Sequence, residues 1–365
     1  MKFNVAKGDL ASAVNTVLKG MASRSTLPIL SGILVNATDG GEVVFETTDL
    51  DISIRHIMKA DVIETGKTVL PGKLFADIVK ALPDAAVGIE ATSEAAKVAC
   101  LGTSYNLTVL NPVDFPYFPE VAADTVIAID PPVLQSAVSK VAKSVSRDES
   151  RAIFTGILFS VEGGKLRLVS TDSYRLAVVD LDVACGGVED FQAVVPGRNF
   201  EDVARLAAGE DNLSIGFAEN QIVFNFGPTT FVSRKIEGTY PNYKQLLPES
   251  HEVGVKMDTR AFVTAIKRVS LLAQSHTPVH LQFSEDSQNV VVSASTKDVG
   301  ASSELLDAAV EGGDIEIGFN HQYLLDGLSS MGEETALEMQ GPLKACIMRD
   351  PADDSFLYLI LPVRI

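Results

Sequence analysis

Hydrophobic and polar residues repeat with two different periods along the chain, and these periods predict its helices and strands. Apolar residues spaced three or four apart predict six helical segments: 7–24, 72–82, 131–147, 197–208, 258–275 and 320–330. Runs that alternate every second residue and are rich in β-branched side chains predict strands, for example KLRLVST, NLSIGFAENQIVFNF and FLYLILPVRI. The expected fold class is therefore α+β, with antiparallel sheets.

One sequence pattern occurs three times along the chain. LASAVNTV at 10–17 returns as LQSAVSKV at 134–141 and as FVTAIKRV at 262–269. Other matches follow in the same order at nearly the same offset: Gly32 with Gly156, Thr48-Asp49 with Thr171-Asp172, and VLPGKLFADIVKAL at 69–82 with VVPGRNFEDVARL at 194–206. A unit of about 120 residues is far longer than a solenoid repeat. We therefore predict three domains, each with two helices, at 1–121, 126–247 and 251–365, joined by linkers near 119–127 and 247–253.

Charge is distributed unevenly between helices and the rest of the chain. The formal net charge is −18, which by itself argues against nucleic acid binding. The six predicted helical segments nevertheless carry 13 basic and 6 acidic residues, a net charge of +7, so the remainder carries −25. In the segment 131–147 Lys140, Lys143 and Arg147 lie opposite the apolar stripe and no acid is present. This predicts a basic helical surface, without the base-reading motifs that sequence-specific recognition needs.

Composition predicts an ordinary globular protein in a reducing compartment. No apolar run reaches 18 residues, which predicts no membrane span, and MKFNVAKGDL lacks the apolar core of a secretory signal. The three cysteines are odd in number and far apart, as expected of free thiols in the cytoplasm.

Motifs for catalysis are weak. Gly66-Lys67-Thr68 resembles the end of a phosphate-binding loop, but Asp61 stands where that loop needs glycine and the run lies on a predicted strand. His276 and His280 have the spacing of a helical zinc pair, but Pro278 lies between them, which favours a surface loop.

Acidic residues at two predicted strand ends leave one catalytic alternative open. Asp49 and Asp51, taken with Asp172, would be the ligands of a metal-dependent hydrolase. The third copy has Lys297 at the equivalent place, so a turn or solvent role is favoured over a metal site.

Several stretches together resemble the bacterial DNA polymerase III β subunits, the sliding clamps, over the whole chain. They are MKF, STLPILSGILV (25–35), TTDLDISI (47–54), VSTDSYRLAV (169–178), GTYPNYKQLLP (238–248), IEIGFN (315–320) and LPVRI (361–365). The resemblance implies three similar domains per chain and two chains joined head to tail in a ring. It implies a non-enzymatic processivity factor without cofactor or metal that encircles duplex DNA, with helices lining the hole.

The resemblance also implies residues for three surfaces. For DNA the resemblance implies Arg24, Lys73, Arg147, Arg151 and Arg198, and the charge pattern of the helices adds Lys140, Lys143, Lys267 and Arg268; Ala152 and Ile153 replace two tyrosines that contact DNA in well-known members. For a pocket that binds short peptides of the replicative polymerase, the clamp loader and repair proteins they are Thr171, Tyr174, Arg175, Leu176, Pro241, Gln245, Leu246, Tyr323, Leu343, Leu361, Pro362, Val363, Arg364 and Ile365. For the homodimer contact they are Tyr105 and Leu107 on one side and Leu271 and Leu272 on the other, although Leu272 is equally compatible with a core position.

Within that pocket this chain departs from the family pattern. Tyr174 replaces a histidine, Gln245 an arginine, and Leu361 and Val363 two methionines. Such a pocket is less pliable than one lined with methionine, so its preferred peptides are expected to differ. A peptide-binding scaffold that does not encircle DNA remains the main alternative; it predicts no basic enrichment on the helices.

Overall fold

The helices of the computed structural model confirm the six predicted segments. The structure describes residues 1–22, 26–273 and 278–364. The helices are α1 Lys7–Val17, α2 Gly72–Ala81, α3 Pro131–Val141, α4 Gly197–Leu206, α5 Thr259–Val269 and α6 His321–Leu328. No helix in these ranges is long and apolar enough to cross a membrane.

Every helix ends earlier than predicted, and three of them end six or seven residues early. α1, α3 and α5 end at Val17, Val141 and Val269, and each continues into a three-residue 3-10 turn. In the first two copies a side-chain hydroxyl from a neighbouring strand donates to the last helical carbonyl: Thr47 to Val17 and Ser170 to Val141. This bond satisfies a carbonyl that has no partner within the helix. The periodic pattern continued past the ends because the following residues are still apolar.

The strands form antiparallel ladders throughout the described ranges. Their bounds are β1 Lys2–Ala6, β2 Gly32–Ala37, β3 Glu42–Thr48, β4 Ile52–Lys59, β5 Asp61–Glu64, β6 Gly66–Pro71, β7 Ala86–Ala91, β8 Ala95–Cys100, β9 Thr103–Thr108, β10 Thr125–Ile129, β11 Gly156–Glu162, β12 Lys165–Thr171, β13 Arg175–Leu181, β14 Phe191–Pro196, β15 Leu213–Phe217, β16 Gln221–Phe226, β17 Thr229–Arg234, β18 Val253–Asp258, β19 Val279–Ser284, β20 Asn289–Thr296, β21 Gly300–Asp307, β22 Ala309–Glu311, β23 Ile315–Phe319, β24 Glu334–Met339, β25 Cys346–Asp350 and β26 Asp353–Ile360.

The first compact unit comprises residues 1–132 and 202–235. It holds a five-stranded sheet in the order β5-β1-β7-β8-β9 and an eight-stranded sheet in the order β10-β15-β16-β17-β4-β3-β2-β6. In the larger sheet β17, the last strand of the second repeat, pairs with β4 of the first repeat. Neighbouring repeats therefore share one continuous sheet.

The second compact unit comprises residues 133–201 and 236–365 and repeats this arrangement. Its nine-stranded sheet has the order β14-β11-β12-β13-β26-β25-β24-β18-β22, and its four-stranded sheet has the order β21-β20-β19-β23. Here β26, the last strand of the third repeat, pairs with β13 of the second. The compact units thus cut through the second repeat, and the predicted domain bounds stay a prediction.

The repeated LxSAV phrase is the buried seam of a helix in every copy. The seam residues are at most 4% exposed: Leu10, Ala13, Val14 and Val17; Leu134, Ala137, Val138 and Val141; Phe262, Ala265, Ile266 and Val269. The two matching glycines, Gly32 and Gly156, are both required by close packing. A Cβ on Gly32 would overlap the Val69 side chain, and one on Gly156 would overlap Val194, because the adjacent strands approach closely at these points.

Candidate peptide groove and basic helix surface

A tight turn in the second repeat presents the first residues of the predicted pocket. The Thr171 hydroxyl donates to the Arg175 carbonyl at 2.6 Å, and Asp172 Oδ1 accepts the backbone N–H groups of Tyr174 at 2.9 Å and of Arg175 at 3.1 Å. Ser173 between them has a φ of 81°, in the left-handed region that such a turn requires. The turn leaves Tyr174 58% exposed and buries Arg175 to 9%.

The buried guanidinium of Arg175 lies at the centre of an ionic cluster. Its Nε lies 3.0 Å from Asp172 Oδ2, its Nη1 donates to the Asp326 carboxylate, and its Cζ lies 4.3 Å from the centroid of the Tyr323 ring. The Tyr358 hydroxyl donates to the Tyr323 carbonyl at 2.9 Å. A buried charge of this kind is stable only while its partners are present. The cluster therefore links the turn to α6 of the third repeat.

Five residues of the predicted pocket, which we call the groove residues, have apolar side chains that are more than a third exposed: Tyr174, Leu246, Leu343, Leu361 and Val363. The rings of Tyr174 and Tyr323 stack with centroids 6.4 Å apart and planes at 28°, and the Leu361 N–H donates to the Tyr174 carbonyl at 2.9 Å. The exposed apolar surface at Tyr174 and Leu361 suits the binding of an apolar peptide side chain.

A cluster of buried hydrophobic residues lies next to the predicted pocket residues in the sequence. Its buried members include Leu158, Val169, Leu176, Tyr240, Tyr243 and Leu359. Pro241 and Gln245 are exposed on either side of Tyr243, and Leu343 is exposed two residues before Ala345, which packs on this core. Pro362 and Arg364 continue from Leu361, with Pro362 half-buried and Arg364 exposed, and Ile365 lies outside the described residues.

Among the predicted DNA residues, Lys140 is paired with a close carboxylate. Its Nζ lies 2.7 Å from Asp353 Oδ2 and 5.4 Å from the centroid of the Phe356 ring. Hydrogen bonds from Lys140 and Ser355 lower the pKa of Asp353 to about 2, so the carboxylate is ionised at neutral pH. We expect Lys140 to attract phosphate less than an unpaired lysine does.

Three further cations of the second repeat are exposed without a carboxylate partner among the described residues. Lys143 donates to the hydroxyl of Ser329, while Arg147 and Arg198 form no hydrogen bond or ion pair within the described part of the chain. All three line a cavity of about 490 Å³ at the start of α4. Unpaired cations in a concave surface are the arrangement that attracts phosphate.

Arg151 faces the groove turn. Its Nε lies 3.1 Å from Asp148 Oδ2, its Nη1 donates to the Ser173 hydroxyl at 3.0 Å, and its Cζ lies 5.3 Å from the Phe154 ring centroid. The side chain is thus held by several contacts, unlike Arg147.

The other repeats contribute fewer predicted DNA residues. Lys73 is exposed in the first turn of α2, and Lys267 is exposed on α5. Arg268 is paired with Glu304, with 2.9 Å between Nε and Oε2. Arg24 lies outside the described residues.

The predicted dimer residues lie at the sheet edge and helix end where they were expected. Tyr105 is half-buried and Leu107 buried on β9, an edge strand of the five-stranded sheet. Leu271 is 84% exposed in the turn that follows α5, whereas Leu272 is half-buried.

The structure gives no support to the metal alternative. Asp49 uses its carboxylate to accept the N–H groups of Asp51 and Ile52, and no cluster of three potential ligands occurs in residues 1–22, 26–273 and 278–364. Gly66-Lys67-Thr68 lies on β6, as predicted. His280 lies on β19, and His276 lies outside the described residues.

Sequence reasoning missed two members of the ionic cluster, Asp326 and Tyr358. Both come from the third repeat, more than 150 residues after Arg175, and no local motif marks them. The pairing of Lys140 with Asp353 was missed for the same reason.

Comparison with known proteins gives matches along the whole chain. Family models of the DNA polymerase III beta subunit match its N-terminal domain at residues 1–119, its central domain at 128–242 and its C-terminal domain at 244–364. A beta sliding clamp of Staphylococcus aureus is 33% identical, covering 100% of this chain and 99% of its own. The crystal structure of the Bacillus subtilis sliding clamp is 30% identical with a TM-score of 0.93, covering 100% and 99% of the two chains. A Pseudomonas aeruginosa sliding clamp bound to griselimycin is 26% identical with a TM-score of 0.94 and full coverage of both chains.

Proposed function

The chain belongs to the family of bacterial DNA polymerase III beta subunits, and from this premise we propose which of its residues contact DNA, partner peptides and the second chain. It is a DNA sliding clamp, a processivity factor without catalytic activity that encircles duplex DNA and tethers the replicative polymerase and other partners. Its fold is that of three clamp domains, and two such chains join into a ring.

Duplex DNA is held in this proposal by exposed cations on the helices and just after α3, where Lys143 lies in the 3-10 turn and Arg147 in the loop that follows. Lys73, Lys143, Arg147, Arg198 and Lys267 are exposed and free of carboxylate partners within the described residues, which supports their assignment to phosphate contacts. Arg151, Arg268 and Lys140 are paired with acids and contribute less. Contacts of this kind are blind to sequence and weak enough for sliding, since the ring supplies the tether.

Partner peptides bind in the apolar groove of the second unit. The observation that carries this proposal is the set of five exposed apolar side chains beside the buried Arg175 cluster. A structurally similar clamp was crystallised bound to griselimycin, and we propose that this chain binds griselimycin in the same groove. Disordered segments of the polymerase, the clamp loader and repair proteins would use it through an apolar anchor.

The dimer contact follows from the repeat. Within each unit the last strand of the later repeat pairs with the third strand after the first helix of the earlier repeat. In this way β17 pairs with β4, and β26 pairs with β13. By this rule the remaining pair is β9 of the first repeat and β21 of the third, and both are edge strands of their own sheets. Pairing between β9 of one chain and β21 of another gives a head-to-tail homodimer with Leu271 and Leu272 nearby. A cytoplasmic location is proposed with this role.

The direct test is retention on circular DNA. The chain is loaded by a bacterial clamp loader onto nicked plasmid, and the complex is isolated by gel filtration before and after linearisation. We expect retention on the circle and loss from the linear form; equal retention on both would contradict a sliding ring. The K143E/R147E/R198E variant should be lost from the circle at lower salt than the control K165E/K256E, which alters exposed lysines elsewhere in the same unit.

A further inference from the structure

A second cavity connects the basic surface to the groove. It has a volume of about 710 Å³, and its lining includes Lys143, Arg147 and Arg151. Its lining also includes Tyr174 and Tyr323, whose rings stack. The cavity is therefore continuous with the proposed peptide site.

The acidic side chains facing this cavity are already engaged. Asp148 is paired with Arg151, and Asp172 and Asp326 are both paired with Arg175. Arg151 balances Asp148, whereas the single guanidinium of Arg175 faces both Asp172 and Asp326, so this group keeps one negative charge.

The net charge of the lining is positive, because Lys143, Arg147, Arg151 and Arg175 carry one charge more than Asp148, Asp172 and Asp326. Lys143 makes a hydrogen bond only to the neutral hydroxyl of Ser329, and Arg147 has no hydrogen bond or ion pair within the described ranges. Both side chains are exposed. A concave wall with two cations that no carboxylate of the described residues pairs with attracts carboxylates.

We infer that this cavity accepts acidic side chains that flank the apolar anchor of a partner peptide, an inference that rests on the proposed peptide groove. An extended peptide advances about 3.3 Å per residue, so an acid two or three residues from an anchor beside Tyr174 reaches the cavity. A peptide is favoured over nucleic acid because the groove residues themselves form one wall. Partners with an acidic flank therefore bind more tightly than partners with the same anchor and a neutral flank.

The test uses fluorescently labelled synthetic peptides and fluorescence anisotropy. One pair carries the flank before the anchor, Glu-Glu-Ser-Leu-Phe-Gly and Gln-Gln-Ser-Leu-Phe-Gly. A second pair carries it after the anchor, Ser-Leu-Phe-Gly-Glu-Glu and Ser-Leu-Phe-Gly-Gln-Gln. We expect the acidic member of one pair to bind the full-length chain about fivefold more tightly at low salt, with the advantage shrinking as salt rises. K143Q/R147Q should abolish the advantage while leaving the neutral peptide's affinity unchanged, and K165Q/K256Q should preserve it.

The outcomes separate this inference from the groove itself. Binding of the neutral peptides with no advantage for either acidic one overturns the inference and leaves the groove proposal standing. An advantage that survives K143Q/R147Q also overturns it. Failure of all four peptides to bind overturns both proposals. Displacement of a neutral peptide by a short oligonucleotide from the unaltered chain, but not from K143Q/R147Q, would assign the cavity to nucleic acid instead.

Discussion

The turns at Thr48–Ile52 and Thr171–Arg175 have the same backbone and different side chains. In each, the first residue's hydroxyl donates to the carbonyl of the fifth, at 2.8 and 2.6 Å. In each, an aspartate accepts the backbone N–H groups of the fourth and fifth residues. Leu50 and Ser173 share a φ of 81°. The threefold repeat therefore reproduces the turn itself, and only side chains distinguish the two copies.

One cross-strand pair of the sheet next to the first turn is charged, whereas the equivalent pair next to the second turn is apolar. Glu46 and Arg55 occupy the ladder positions that Val169 and Val178 occupy in the second copy. Arg55 Nε lies 2.6 Å from Glu46 Oε1, and its Cζ lies 4.1 Å from the Phe118 ring centroid. A charged pair on this face leaves no apolar floor for a peptide. The two units thus share one backbone turn, and only the turn of the second unit belongs to the proposed peptide site.

The largest expected effect on stability comes from placing the glutamate of the first copy, Glu46, at the equivalent position of the second copy, Val169. Val169 is fully buried, so V169E places a carboxylate in an apolar core and should lower the free energy of unfolding by about 3–5 kcal/mol. The reciprocal E46V/R55V replaces an ion pair with apolar side chains and should change it by about 1 kcal/mol or less. Urea denaturation followed by circular dichroism measures both, and a V169E loss below about 1 kcal/mol would mean that the core accommodates charge.

Removal of the cation from the ionic cluster is expected to have the next largest effect. R175M leaves the buried carboxylate of Asp172 and the half-buried carboxylate of Asp326 without their partner and should destabilise the chain by about 3 kcal/mol. The matched change in the first unit is R234Q, which breaks an exposed pair with Asp51 and should cost under about 0.5 kcal/mol. Similar losses for the two variants in the same urea experiment would contradict the distinction.

A smaller effect, on ligand binding rather than on stability, is expected from removing the exposed ring of Tyr174. Y174A removes the stack on Tyr323 and should weaken griselimycin binding about tenfold with little change in melting temperature, since Tyr174 is more than half exposed. L50A truncates the exposed apolar residue of the first turn and should leave binding unchanged. Isothermal titration calorimetry on both variants measures the difference; a loss with L50A would place the ligand elsewhere.

The smallest effect concerns pH. Lys140 lowers the pKa of Asp353 in the folded chain to about 2, below the value of about 3.9 in the unfolded chain. The pair therefore contributes fully above about pH 4, and its contribution is lost as the pH falls towards 2. Because both side chains are partly exposed, K140Q should cost about 0.5 kcal/mol at pH 7 and less at pH 3. K165Q serves as the control, and a K140Q cost that does not fall with pH would show that the lysine acts through packing on Phe356.

Much of the fold was predictable because its signals are local. All six helices and the alternation of the strands follow from side-chain periods of about 3.6 and 2 residues, and the buried LxSAV seam follows from the same spacing. The ends of α1 and α3 were not predictable, because the residues after them keep an apolar pattern and the hydroxyls that bond their last carbonyls, those of Thr47 and Ser170, come from strands about 30 residues further along the chain. The resemblance supplied the pocket residues; periodicity alone did not.

The sequence by itself determined the threefold repeat, the identity of its helices and the excess of positive charge on them, since each depends on neighbours within one or two helical turns. Only the tertiary structure decided which copy of the turn carries a groove and which cations remain unpaired. Arg175 meets Asp326 and Lys140 meets Asp353 across 151 and 213 residues of chain. Such pairings depend on how β13 and β26 join in one sheet, and no local pattern records them.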